Sequence, residues 1–132
     1  MPPEPRGLAL IVQSGAYDQV HYALSIAAAA GAVGRPAVLF FTLQALRALD
    51  KDEGWRQLAG AGADADYRAR GIVGFEELLA SCAALGVRLM ACEMGLAAIG
   101  LARSRLRRDL TIEEGGLASL LLEAAGADLV YV

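Results

Sequence analysis

Cysteine and histidine are scarce in this chain of 132 residues, which has two of the first and one of the second. Cys82 and Cys92 stand ten residues apart, a spacing that fits neither a CxxC redox pair nor a zinc framework. With His21 the only histidine and no tight carboxylate cluster, a zinc site or metal-dependent hydrolase is not supported, and no cofactor is expected. Long hydrophobic runs are also missing. The chain is 56% hydrophobic with a mean hydropathy of +0.43, but alanine runs such as Ala27-Ala28-Ala29-Ala30 supply much of that, and no stretch reaches the roughly 18 apolar residues of a membrane span. Nor is there a basic excess: a net charge of −3 and a pI near 5.1 leave no footprint for nucleic acid. Residues 1–6 lack the basic and apolar regions of a secretion signal, so the expectation is a flexible lead-in, a single domain over 7–132 and a cytoplasmic protein. A composition this apolar predicts a surface partly covered by copies of the chain, a homo-oligomer.

What the chain does have is a regular alternation of short apolar runs and helical periodicity. Leu8 to Gln13 and Ala37 to Thr42 read as strands buried on both faces. Between them Tyr17, Val20, Ala23, Leu24, Ala27 and Ala28 recur at helical spacing until Gly31 and Gly34, predicting a helix over roughly 17–32. A short helix over about 43–49 follows, and the stretch 50–74, with the only tryptophan, Trp55, reads as a lid or as short helices without a placement. Phe75, Leu78, Leu79, Cys82 and Leu85 mark a helix closed by Gly86. Val87 to Ala91 forms a third strand, and a helix starts at Cys92 or Glu93. Asp109 to Ile112 reads as a short fourth strand, Leu117, Leu120, Leu121 and Ala124 as a last helix, and Asp128 to Val132 as the final strand. This alternation predicts an α/β fold, an open sandwich with a mostly parallel sheet of four to five strands.

In such sheets ligands gather beyond the carboxyl ends of the strands. Three loops are expected there: Ser14-Gly15-Ala16-Tyr17, Thr42-Leu43-Gln44 and Cys92-Glu93-Met94. If the strand order is 2-1-3, the first and third are direct neighbours. Cys92 is the leading candidate, because free N–H groups at a helix start favour thiolate over thiol. The alternative is a buried cysteine packed as a small hydrophobe. Cys82 falls mid-helix on the core stripe and reads as core. His21 lies a helical turn past the first loop and reads as a proton shuttle or as a half-exposed helix residue. Tyr17 reads as a site residue or as core. Glu93 suits a helix N-terminus yet opposes a neighbouring thiolate. Gly115-Gly116 reads as an anion cradle or a plain turn, and Arg103, Arg105, Arg107 and Arg108 as an oxyanion site or a solvated helix end.

Three stretches carry a resemblance to a known family: the small-residue helix end before Pro36 and Phe40-Phe41-Thr42, then Leu85-Gly86-Val87-Arg88-Leu89-Met90-Ala91-Cys92-Glu93-Met94 with Gly100, then Gly115-Gly116-Leu117-Ala118. Together they make the chain resemble the DsrE/DsrF-like sulfur-handling proteins, with Ala-Cys-x-Met the most specific element. The resemblance implies a flavodoxin-like three-layer sandwich, homotrimers or homohexamers, and a cysteine at Cys92 that carries sulfane sulfur as persulfide or thiosulfonate. It further implies a rhodanese-type donor and a TusA-like acceptor; the loops expected at the same sheet edge, with His21 a helical turn on, make Ser14, Gly15, Tyr17, His21, Thr42, Glu93 and Met94 the candidate binding residues around the sulfur. Leu43-Gln44-Ala45 departs from the aromatic-rich segment of relatives, and 50–74 has no counterpart.

Overall fold

The computed structural model describes residues 5–132; residues 1–4 of the expected lead-in lie outside the described residues. Arg6, at the end of that lead-in, pairs with Asp128 at 2.6 Å, and its carbonyl accepts from the Arg35 guanidinium.

The apolar runs form strands β1 (Leu8–Val12), β2 (Ala37–Phe41), β3 (Arg88–Cys92), β4 (Ile112–Gly115) and β5 (Asp128–Tyr131). All pair in parallel, in the order β4-β3-β2-β1-β5. The helices are α1 (Tyr17–Ala32), α2 (Ala63–Ala69), α3 (Phe75–Ala84), α4 (Glu93–Ile99) and α5 (Leu117–Glu123). Because side chains alternate across a strand, the sheet presents two different faces. Leu10, Val12, Leu39, Phe41, Leu89 and Ala91 pack in the large core with α1, α3 and Leu96 of α4. Ala9, Val38, Phe40, Met90 and Cys92 point the other way and meet Leu120 of α5. The result is a three-layer α/β sandwich in which one outer layer is a single helix of seven residues. Among the described residues no helix is long and apolar enough to cross a membrane.

The expected adjacency of the loops after β1 and β3 is not what forms. β2 lies between those strands, because each crossover from β1 to β4 adds the next strand on the same side. The chain crosses back only through α5 on the opposite face, which sets β5 beside β1. Sterically favoured right-handed crossovers require that change of face when the direction of winding reverses.

The fourth strand is displaced from 109–112 to Ile112–Gly115. Asp109 is held out of the sheet by Arg107 at 2.7 Å, and the paired stretch includes Glu113 and Glu114, which strand propensity disfavours. An edge position tolerates them, and Arg88 on the neighbouring strand binds Glu113 through two nitrogens, at 2.8 and 2.7 Å. The same guanidinium reaches Glu123 of α5 at 2.9 Å, clipping that helix to the sheet. The 43–49 segment is a 3-10 helix, and 50–74 holds a 3-10 turn at Gly54–Gln57 and α2.

Candidate functional site

Cys92 is the last residue of β3 and the N-cap of α4. Its backbone is extended (φ −74°, ψ 119°), and its Sγ accepts the Gly95 N–H at 3.4 Å. The sulfur thus takes the part an oxygen usually plays in capping the first helical turn, a hydrogen bond that strengthens if the sulfur is anionic. Glycine inside a helix costs about 1 kcal/mol relative to alanine, and here a close approach requires it. A Cβ on Gly95 would stand 2.5 Å from Thr42 Oγ1 and 2.8 Å from the Leu43 backbone nitrogen.

The strand order gives Cys92 a second distinction. The helix after β3 packs on one face of the sheet and the helix after β4 on the other, while β3 and β4 are adjacent. The strand order reverses between β1 and β5, the switch point where open α/β sheets bind ligands; at the gap between the carboxyl ends of β3 and β4 only the face of the crossovers changes. Cys92 pairs in register with Gly115 at that gap. Beside it, Gly116 is open enough that a Cβ would meet nothing within 4 Å. Glu93 and Glu114 bring negative charge to the gap. Arg103 answers both, at 3.7 Å from Glu93 and 3.1 Å from Glu114.

Cys92 itself is only 2% exposed, whereas Glu93 and Met94 next to it are open to solvent. Thr42, at the end of β2, is 8% exposed, and its hydroxyl is a buried polar atom without a hydrogen-bond partner among the described residues. Thr42, Cys92, Glu93 and Met94 thus gather at one end of the sheet.

The remaining candidates are elsewhere. Ser14 and Gly15 line a cleft of about 520 Å³ over the ends of β1 and β5, with Gln13, Gln19 and Gln44; Cys92 is not among its walls. Tyr17 is buried in the core: its hydroxyl donates to the buried Asp64 carboxylate at 2.6 Å, and its ring packs with those of His21, Trp55, Tyr67 and Phe75. Burial and the Asp64 hydrogen bond both push its ionisation far up. His21, four positions on and hence on the same helix face, is buried instead of half-exposed, with Nε2 2.9 Å from the Val73 carbonyl. Both placements share one cause: segment 50–74, unplaced in the sequence, folds over the start of α1 and roofs it together with Phe75. Cys82 is core as expected. Its Sγ donates to the Leu24 carbonyl at 3.3 Å, and burial pushes the thiol up to about 11.

The arginine run is divided among several carboxylates. Arg105 pairs with buried Asp50 at 2.8 Å, and Arg107 binds both Glu76 and Asp109. Sequence reasoning missed Asp64, which lies in the unplaced segment, and Arg103's position at the gap. A lone acidic residue amid small residues carries no periodic signal, and Arg103 looks like its neighbours until β4 is placed.

The chain is similar in fold to the ychN protein from E. coli. That structure shares 17% identity over 96% of this chain and 99% of its own, with a TM-score of 0.70. Protein MTH1491 from Methanobacterium thermoautotrophicum, whose function its description gives as unknown, shares 13% identity over the same fractions, with a TM-score of 0.66. At such identities the likeness establishes the fold alone. No family model matches the chain, and no curated protein matches it.

Proposed function

We propose that the protein is a sulfur carrier or sulfurtransferase of the DsrE/DsrF-like kind, with Cys92 as the acceptor. The observation that carries the reading is the placement of the Cys92 sulfur where β3 ends and α4 begins, capped by the Gly95 N–H at 3.4 Å. The similarity in fold to the ychN protein is compatible with it. In the loading step the Cys92 thiolate attacks the outer sulfur of a donor persulfide, R–S–SH. A new S–S bond forms on Cys92 as the donor's S–S bond breaks, and the donor leaves as R–S⁻. Unloading repeats the exchange with a partner thiolate as attacker and the Cys92 thiolate as leaving group, so no net oxidation occurs. A rhodanese-type donor and a TusA-like acceptor are the partners this reading implies.

The chain's intact mass after incubation with a persulfide-charged rhodanese tests the reading. Wild type is expected to gain the mass of one sulfur atom and Cys92→Ser none, with Cys82 unmodified in both. No gain on wild type, or equal gain on Cys92→Ser, would sink it.

The 2% exposure of Cys92 favours a second reading, an assembly or ligand-binding module in which the thiol is core. The single helix over one face of the sheet bears on association under either reading. On β5, Leu129 and Tyr131 project on the side of Ala9 and Ile11 and are exposed, as are Leu117 and Leu121 of α5. We infer that copies of the chain cover this face, since large apolar patches mark contact sites. Sedimentation equilibrium is expected to give an integer multiple of the chain mass, lowered by Leu129→Glu together with Leu121→Glu. A wild-type monomer at high micromolar concentration counts against association.

A further inference from the structure

We propose, resting on the sulfur-carrier reading of Cys92, that the Thr42 hydroxyl is a hydrogen-bond donor held for the outer sulfur of a Cys92 persulfide, which makes Thr42 part of the binding site for the cargo. The observation behind it is the unpartnered oxygen. Thr42 is 8% exposed and its Oγ1 has no partner among the described residues, although leaving a buried polar group unsatisfied costs about 1–3 kcal/mol. A native structure rarely carries that cost without a use for the group.

The geometry directs the hydroxyl to the sulfur. β2 and β3 pair up to Phe41 and Ala91, so Thr42 and Cys92 are the next pair. Thr42 keeps the strand conformation (φ −140°, ψ 158°) and still donates its N–H to Val12 of β1 at 2.9 Å. Alternation places Thr42 on the side of Phe40, the face on which Met90 and Cys92 lie. Both side chains converge on Gly95: its N–H caps Cys92 Sγ, and Thr42 Oγ1 occupies the space a Gly95 side chain would need.

Neighbouring strands run about 4.8 Å apart, and in the unloaded protein Thr42 forms no hydrogen bond to Sγ. A second sulfur extends the Cys92 side chain by about 2 Å, which brings the outer atom within reach of a hydroxyl one strand away. The Gly95 N–H then holds the inner sulfur and Thr42 the outer, charged one. Loading follows the exchange already described: the donor's S–S bond breaks, the bond to Cys92 forms, and the donor departs as its thiolate. Thr42 contributes only its O–H, which remains on the oxygen throughout.

The test is the loading equilibrium of Cys92 with glutathione persulfide and glutathione at fixed ratios, read by intact mass for wild type, Thr42→Val and Thr42→Ser. Thr42→Val keeps the shape and removes the donor. It is expected to lower the loading constant about tenfold, the scale of one hydrogen bond to a charged group. Thr42→Ser is expected to stay within about threefold of wild type, because serine retains the hydroxyl. Thermal unfolding of the unloaded proteins supplies the control: Thr42→Val should melt at or above the wild-type temperature, since it removes an unpaired polar atom. Equal loading constants for wild type and Thr42→Val overturn the proposal, as does a lower melting temperature for unloaded Thr42→Val, which would show that the hydroxyl has a structural partner. Failure of wild type to take up sulfur overturns the reading of Cys92 itself, a result distinct from both.

Discussion

Gly95→Ala is expected to cost the protein about 1–3 kcal/mol of stability and most of its sulfur uptake at Cys92. The added carbon would stand 2.5 Å from Thr42 Oγ1, 2.8 Å from the Leu43 nitrogen and 3.1 Å from Leu46 Cδ1. The second of these atoms is backbone and cannot rotate away. Leu43 already has φ of 52°, a left-handed conformation that branched and bulky residues seldom adopt, so the loop has little slack. The clash is relieved by moving α4 outward, which draws the Gly95 N–H away from Cys92 Sγ. Helix propensity opposes the loss by up to about 1 kcal/mol, less than the overpacking penalty. Urea denaturation gives the stability and intact mass the sulfur uptake. Unchanged values for both would show that the α4 start is looser than the contact distances imply.

Asp64→Ala is expected to be the most destabilising substitution outside the sheet, by about 2–6 kcal/mol, because it strands two buried donors at about 1–3 kcal/mol each. The carboxylate accepts the Tyr17 hydroxyl at 2.6 Å and the Phe75 N–H at 2.7 Å. It therefore joins the starts of α1 and α3 to α2 beneath the rings of Tyr17, Tyr67, Trp55 and Phe75. Tyr17→Phe removes one of the two bonds and should cost about half as much. The folded fraction of either variant should still load sulfur on Cys92, since Asp64 and Tyr17 belong to the α1/α3 side of the sheet and Cys92 packs on the α5 side. Urea midpoints compared at constant slope measure the stability. A shift smaller than that of an average surface substitution would mean that the donors find other acceptors.

Particular residues show how far the sequence could be read. Cys92 at a strand end and helix start was legible because Val87 to Ala91 is a mostly apolar run and Met94, Ala97, Ala98 and Leu101 keep helical spacing, although the face that α4 buries is that of Gly95 and Leu96. Cys82 was legible as core for the same reason of periodicity. Tyr17 and His21 were not settled, because their environment depends on Trp55, Asp64 and Tyr67, which come from a segment with no dominant period. β4 was misplaced by three residues because two glutamates interrupt its apolar pattern, and only the partner Arg88 across the edge makes them acceptable. Thr42 stood among the candidates as part of a loop; that its hydroxyl is buried and unpaired is a fact of packing that no spacing encodes.

The amino-acid sequence by itself determined the alternation of strands and helices, the mostly parallel sheet, and the presence of one thiol at a strand-to-helix junction. Local periodicity and turn chemistry carry that much, since each depends on residues a few positions apart. The tertiary structure alone decided the strand order, and with it that Cys92 lies where the crossovers change face, beside Thr42 and Gly115 instead of beside Ser14. Strand order depends on contacts between residues tens of positions apart, and on which face each crossover helix covers. Neither leaves a local trace in the chain.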